Sequence, residues 1–499
     1  MFKNSTQKIS AIIFVAVCML LVTVLGACTP TAAFKPVSLP ATNDVDGNGG
    51  IAVRYGDYIL YVNGYQSDVT VANSYSDEIR VGQVVCMKVS DFEEIFVKVA
   101  SDNKSSSTIA KEIAEYVREN AKIVVPNVYY TNNTTNTALN GIYVFDGRLY
   151  YLTPNDELTA GGSKLNSQLV LKSVKLDGSE AEATRHYVFT SNSAQVLLSK
   201  VGNDVYATYV QDNHLFSLKV GDEKATELIL DKDKAADEAK KDDEEKTGTV
   251  LSNINFDKNS DGEVCGLFFT DADGDICHFK PGDSKIEIYV TNPKSEDGHD
   301  DHNSLTIKSV NNGYVYFTKT VDGTADSKIY FANSVTEQGK ELVYCDTSLT
   351  FYGYGDKIIF TKSETQNAET YYNIYVTTNS SESLKKLLIA NENVNSITIN
   401  KIEGKYLYYT ANSINYKLDI DEALAAAQAK GKVIGNNLST TATGWSVPDS
   451  LTFTANGTTY TYVFTLANGS VSVVKFDATT NKNSSSATIT LTAEEKEEK

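Results

Sequence analysis

The sequence predicts an all-β chain, a β-propeller of about seven or eight four-stranded blades with short helical insertions. Three observations predict it. A glycine or Asx-Gly pair followed by an aromatic, alternating run recurs along the chain. Tight-turn signals interrupt those runs. The aromatics are skewed, with 30 Tyr and 19 Phe against one Trp, and tyrosine suits strands with one packed face and one wet edge.

The runs are "YGDYILYVNG" from Tyr55, "DGRLYYLTPND" from Asp146, "GNDVYATYVQDNHLFSL" from Gly202 and "GEVCGLFFTDADGDICHF" from Gly262. "NGYVYFTKTVDGTADSKIYF" follows from Asn312, "GDKIIFTKSETQNAETYYNIYV" from Gly355, "GKYLYYTANSINYKL" from Gly404 and "NGTTYTYVFTLANGSVSVVKF" from Asn456. Alternation of apolar and polar residues marks half-buried strands. "DADGD" and "LANGS" place Asp-Gly and Asn-Gly where a hairpin needs φ > 0. Further strand-like runs are Leu169–Leu176, Leu305–Val310 and Ser396–Ile402. About four strands per roughly 40–60-residue period is a propeller pattern. A lone four-stranded sheet cannot bury both faces; stacked radially against its neighbours it can. A hairpin shared between the chain ends would make the count seven rather than eight. A sandwich pair and a β-solenoid are the rival architectures.

The ends read differently. Lys3 and Lys8 precede the apolar run Ala11–Leu25. A basic start, a short apolar core and small residues before a cut describe a signal peptide; the run is short for a span, which needs about 20 residues. "LGAC", Leu25–Cys28, resembles the lipobox of bacterial lipoproteins. That resemblance implies a signal peptide over 1–27 and a diacylglyceryl group on Cys28, and two acyl chains anchor stably where one binds marginally. Residues 28–50 read as a flexible tether, 51–480 as the propeller and 481–499 as a charged tail. Within the propeller, 51–140 is an irregular first part with a helix over Thr108–Ala121. Asp419–Lys432 reads as a second short helix, and Asp231–Gly248 as a solvated helix or a disordered insertion. The net charge of −19 repels phosphate backbones, so nucleic acid is excluded as a partner.

Chemistry-bearing patterns are sparse. "DKNSDGEV" places Asp257, Asn259 and Asp261 in the order of a calcium loop, where alternate oxygens converge on a hard cation. Phe268 stands where an EF-hand needs glutamate, so an Asx-rich turn is the competing reading, and no other cofactor is indicated. "DADGD" (Asp271–Asp275) reads as a simple turn. "DGHDDH" (Asp297–His302) could hold a transition metal but shows no third fixed ligand. His186, His214 and His278 stand alone. Of the exported cysteines Cys86, Cys265, Cys277 and Cys345, the pair Cys265 and Cys277 lies near one hairpin and could bond; the alternative is small buried hydrophobes. No GxSxG, HExxH, Walker A or GxGxxG motif occurs.

From Gly141 to about Phe476, units running Gly-x-x-(Ile/Leu)-Tyr-Tyr resemble those of the uncharacterised propeller lipoproteins found on Gram-positive bacterial cells. The resemblance implies a surface location and transfers no catalytic residues. The expectation is a binding or scaffold module on the outer face of the membrane. It is anchored through lipid on Cys28 and takes a cell-wall glycan or another surface protein as partner. The alternative is a cell-wall or polysaccharide-processing enzyme, which predicts carboxylates with aromatics at the propeller axis.

Overall fold

The computed structural model describes residues 35–65, 79–101, 105–125, 140–155, 157, 168–191, 194–240, 247–293, 303–325, 328–336, 338–341, 351–366, 368–378, 384–387, 394–429, 448–455, 457–477, 483–484 and 488–492. They form eight antiparallel sheets, the blades of a β-propeller. In chain order the blades begin at 45, 143, 195, 252, 304, 351, 397 and 450. First strands of successive blades pack on one another, as in Ser252–Lys258, Ser304–Asn311 and Phe351–Tyr354, and so surround the axis.

The repeated glycine occupies the turn between a blade's first and second strands. Asp146 and Gly147 have φ of 50° and 70°, and Asn312 and Gly313 have 50° and 77°, as type I′ turns require. The aromatic a few residues later becomes inter-blade core. Tyr151, Tyr316, Tyr409 and Tyr462 lie on second strands, Tyr61 on the third strand of five-stranded blade 1, and all are among the largest fully buried side chains. Each such burial contributes about 1.5–3 kcal/mol. Tyrosine serves better than phenylalanine where its hydroxyl reaches the next blade: Tyr316 donates to the Gly355 and Lys357 carbonyls at 2.6 and 3.1 Å.

Among the described residues no sheet takes strands from both chain ends, so the option of a shared hairpin is not the one used and the count is eight. Blade 1 is built wholly from the N-terminal part of the chain and blade 8 from the C-terminal part. Their seam is an apolar cluster including Ile59, Tyr61, Leu451 and Phe464. Backbone bonds add to it: Tyr65 N to Ala467 O, Gly469 N to Tyr65 O, and Ile51 N to Pro448 O. Helices α1 (Val89–Ser101) and α2 (Ser106–Asn120) pack on this cluster. The second matches the expected helix; the first was not anticipated.

Both ends depart from expectation. Residues 35–50 are not a loose tether: Val37 and Leu39 are buried, Leu39 N donates to Leu176 O, and Val45–Asp46 pairs with blade 1. Cys28 and the signal region lie outside the described residues. Residues 483–484 and 488–492 are not tail. Asn483–Ser484 pairs with the third strand of blade 7, and Ile489–Thr490 then returns to blade 8, strapping the two together. Helix α3 (Asp231–Ala239) matches the solvated-helix reading: it is largely solvent-facing, and its one buried residue, Asp237, accepts from Thr247 N and Gly248 N. Helix α4 (Ile420–Ala426) is capped by Asp419 and shorter than expected. Cys86, Cys265 and Cys277 are free thiols, so the Cys265–Cys277 bond does not form.

Candidate functional site at the propeller axis

Turns from four blades meet at one cavity of 240 Å³, lined by Asp46 and Gly47 of blade 1, Ser260, Asp261 and Glu263 of blade 4, Glu403 to Tyr406 of blade 7, and Ser450 to Thr452 of blade 8. Blades 4 and 7 are not neighbours, so this contact crosses the central channel. The five-residue blade 4 turn makes it possible. Asn259 Oδ1 accepts from the Asp261 and Glu263 amides at 3.0 and 2.9 Å, folding the turn on itself. Gly404 faces it: φ is 56°, and a Cβ there would lie 2.6 Å from Ser260 O.

The cavity is acidic, and most of its charges are committed. Asp46 pairs with Arg54 at 2.5 Å, and Lys405 with Asp419 at 2.8 Å. Glu403 accepts from Ser450 Oγ at 2.9 Å and from Lys401 Nζ at 2.8 Å; Lys401 also pairs with Asp449. Burial works against both carboxylates. At Glu403 the Lys401 and Lys258 charges outweigh it and hold the carboxyl below its usual range. At Asp449 the Glu403 charge adds to burial and pushes the carboxyl up. Lys401 therefore bridges two carboxyls whose proton affinities are pushed apart. Glycosidase carboxyls stand about 5–9.5 Å apart, with room for a sugar carbon or a water; here the Lys401 ammonium stands between the two.

Behind Tyr406 and Thr452 lies Lys417, 1% exposed. Its ammonium sits 3.6 Å from the Tyr406 ring centroid and donates to Thr461 Oγ1, which is 2.6 Å from Thr452 Oγ1. No described carboxylate pairs with it. Burial, only partly offset by Asp419, lowers its pKa to about 8.

The structure separates the residues of the expected calcium loop. Asp257 is buried and turned into blade 5, where both its oxygens accept from Gly313 N at 2.9 and 3.0 Å. Asn259 is spent on its own turn, and Asp261 lines the axial cavity. The convergent acidic group is instead Asp271, Asp273 and Asp275, each offering an oxygen within 4.8 Å of the others, with Lys232 Nζ among them. The "DGHDDH" segment lies outside the described residues. Of the lone histidines, His278 is core, tilted against Phe268 and Tyr289; His186 bonds Ser173 at 2.7 Å. His214 bonds Glu227 at 2.9 Å in a 660 Å³ cleft between blade 3 and α3. The Lys401–Glu403–Asp449 cluster carried no sequence signal, because its members meet only when blade 8 packs on blade 7.

No family model matches the chain, and no curated protein matches it. Solved structures resemble its fold. The β-propeller domain of the Trilobed protease from Pyrococcus furiosus is 10% identical, covers 71% of this chain and 97% of its own, and gives a TM-score of 0.32. BamB from Moraxella catarrhalis is 13% identical, covering 66% and 89%, with a TM-score of 0.27. A puromycin-hydrolyzing peptidase of Mycobacterium tuberculosis is 12% identical over 70% of this chain, with a TM-score of 0.29. This chain spans about half, 52%, of that one.

Proposed function

We propose that the chain is a non-enzymatic binding module, held at the outer face of a bacterial membrane by lipid on Cys28. It takes a surface protein or cell-wall glycan on the propeller face that carries the axial cavity. The observation that carries this reading is the convergence of turns from blades 1, 4, 7 and 8 on one acidic cavity in a closed ring. Loops displayed on a rigid frame are where recognition residues concentrate, and the "LGAC" element supports the anchor. Crosslinking on intact cells, together with a glycan array probed with the purified chain, tests it. Recovery of one partner class, weakened by Asp261→Lys or Glu263→Lys, is the expected result; no partner in either assay overturns it. Anchoring is tested separately, since Cys28→Ser should release the chain from the membrane fraction.

One observation favours a polysaccharide-processing enzyme: carboxylates and Tyr406 do sit together at the axis. The Lys401 ammonium between Glu403 and Asp449 favours a structural role for the pair. Hydrolysis of cell-wall glycan abolished by Glu403→Gln in a folded variant would reverse that preference.

A further inference from the structure

The 660 Å³ cleft between blade 3 and α3 falls within the range of about 300–1,000 Å³ common for small-ligand sites. The third strand of blade 3, His214–Lys219, supplies one wall. His214 and Phe216 lie two residues apart and so share a face of the sheet. The fourth strand, Thr226–Glu227, sets Glu227 opposite Phe216 in register, on that same face.

These residues hold the imidazole in one state. Glu227 Oε1 stands 2.9 Å from His214 Nδ1. A carboxylate only accepts, so Nδ1 carries the hydrogen and the neutral ring keeps Nε2 as an acceptor. Among the described residues Nε2 has no partner. Gly248 packs on the pair: its φ is 59°, and a Cβ there would lie 2.4 Å from Glu227 Oε1 and 3.4 Å from His214 Nδ1. Asp237 of α3 fixes that approach by accepting from Gly248 N at 2.8 Å. Three separate segments thus orient one histidine at the wall of a cleft.

The floor is apolar and the rim is mixed. The Phe216 ring is stacked on Tyr209 with centroids 5.0 Å apart, which holds it rigid. Ile229 and Val250, the latter 38% exposed, extend the apolar surface. Glu238 and Lys234 of α3 bring opposite charges to the rim, and among the described residues neither makes a side-chain hydrogen bond. The axial cavity differs, because there Asp46, Glu403 and Lys405 are all paired. The cleft therefore offers a flat aromatic surface bordered by uncommitted donors and acceptors. A pyranose ring matches that inventory: its C–H face suits an aromatic ring, and its hydroxyls both donate and accept.

We propose that this cleft is a saccharide-binding site, separate from the axial cavity, for a neutral oligosaccharide. One pyranose lies on Phe216 and donates a hydroxyl to His214 Nε2, while Lys234 supplies a donor at the rim. The site does not depend on any partner at the axis.

Calorimetric titration of the full chain with maltotriose, cellotriose and triacetylchitotriose tests this, with spermidine and triglutamate as charged probes. At least one trisaccharide should bind. His214→Phe keeps a ring and removes both nitrogens; Phe216→Leu removes the aromatic surface. Each should weaken that binding about tenfold. Val250→Arg, at an exposed position, puts a long side chain into the cleft without touching the His214–Glu227 pair, and it should abolish binding. It decides the matter if His214→Phe does not fold, and thermal melts establish folding for every variant. Failure of all three trisaccharides to bind wild type overturns the proposal. So does saccharide binding that a folded His214→Phe or Val250→Arg variant leaves unchanged, or a His214-dependent preference for spermidine or triglutamate over the sugars.

Discussion

Glu93 of α1 ion-pairs with Lys475 of blade 8, 382 residues further along the chain. The same carboxylate accepts from the Tyr462 hydroxyl, and the Lys475 ammonium rests 3.6 Å from the Tyr460 ring centroid. Among the described residues no strand is exchanged at this seam, so side chains and a few backbone bonds supply what a shared hairpin would. Removing one member takes away a charge partner that the others hold in a largely desolvated setting, which costs about 3 kcal/mol or more when the setting is buried. Glu93→Ala should lower the urea-unfolding free energy by about 2–4 kcal/mol. The double variant with Lys475→Met should recover part of that loss, since the orphaned charge is gone. Purely additive effects of the two substitutions would show that the pair does not act as a latch.

Lys417 gives stability a specific pH dependence. Its folded pKa of about 8 lies below the unfolded value of 10.5. Between those values the unfolded state binds more protons, so stability rises as pH climbs from about 8 to 10.5, and the full penalty applies below 8. At 1.36 kcal/mol per unit the penalty is about 3 kcal/mol at most. Lys417→Met keeps the stem and drops the charge. It should stabilise the fold at pH 7 by about 1–3 kcal/mol and flatten the rise that wild type shows between pH 8 and 10. Unfolding midpoints measured across that range for both proteins decide it; parallel curves would refute the assignment.

The blades were legible because their signals are local. Gly404 and Tyr409, or Gly147 and Tyr151, lie within one turn and one strand of each other, and the turn geometry and period-2 burial follow from adjacent residues. What required the third dimension was not legible. Asp257, Asn259 and Asp261 follow the letter order of a calcium loop, yet Asp257 is claimed by the Gly313 amide of the next blade. Asp271, Asp273 and Asp275 looked like an ordinary turn, because their orientation depends on Asn292 and their counter-ion on Lys232. Helix α1 was hidden by the β-branched Val97 and Val99, which weaken its helical signature. The strand at 489–490 was hidden by the polar residues around it.

Two chemically identical substitutions should separate backbone strain from collision. Gly355 and Gly404 have φ of 53° and 56°, but a Cβ at Gly355 meets nothing within 4 Å, whereas at Gly404 it would lie 2.6 Å from Ser260 O. Gly355→Ala carries only the left-handed penalty, about 1–2 kcal/mol. Gly404→Ala adds displacement of the blade 4 turn, so it should cost about 1–2 kcal/mol more and reduce partner binding at the axial cavity. Equal thermal shifts for the two variants would mean that the blade 4 turn does not press on blade 7.

The two axial carboxyls should respond oppositely to neutralisation. Glu403 is held below its usual range by Lys401 and Lys258, so it contributes stability that is present above the unfolded pKa of 4.5 and lost as pH falls through the folded value. Asp449 is raised by burial and by Glu403, so its contribution is present below the unfolded pKa of 3.8 and lost as pH rises through the folded value. At pH 7 ionised Asp449 therefore opposes folding. Asp449→Asn should leave stability at pH 7 unchanged or raise it by about 1 kcal/mol, while Glu403→Gln should lower it by about 2 kcal/mol by leaving Lys401 under-compensated. Both variants keep the shape of the cluster, so the contrast reads charge rather than packing. Denaturant midpoints at pH 4, 5.5 and 7 provide the measurement. If Asp449→Asn proves the more damaging at pH 7, Glu403 is the carboxyl whose affinity for a proton is raised, and the polarity of the pair must be reversed.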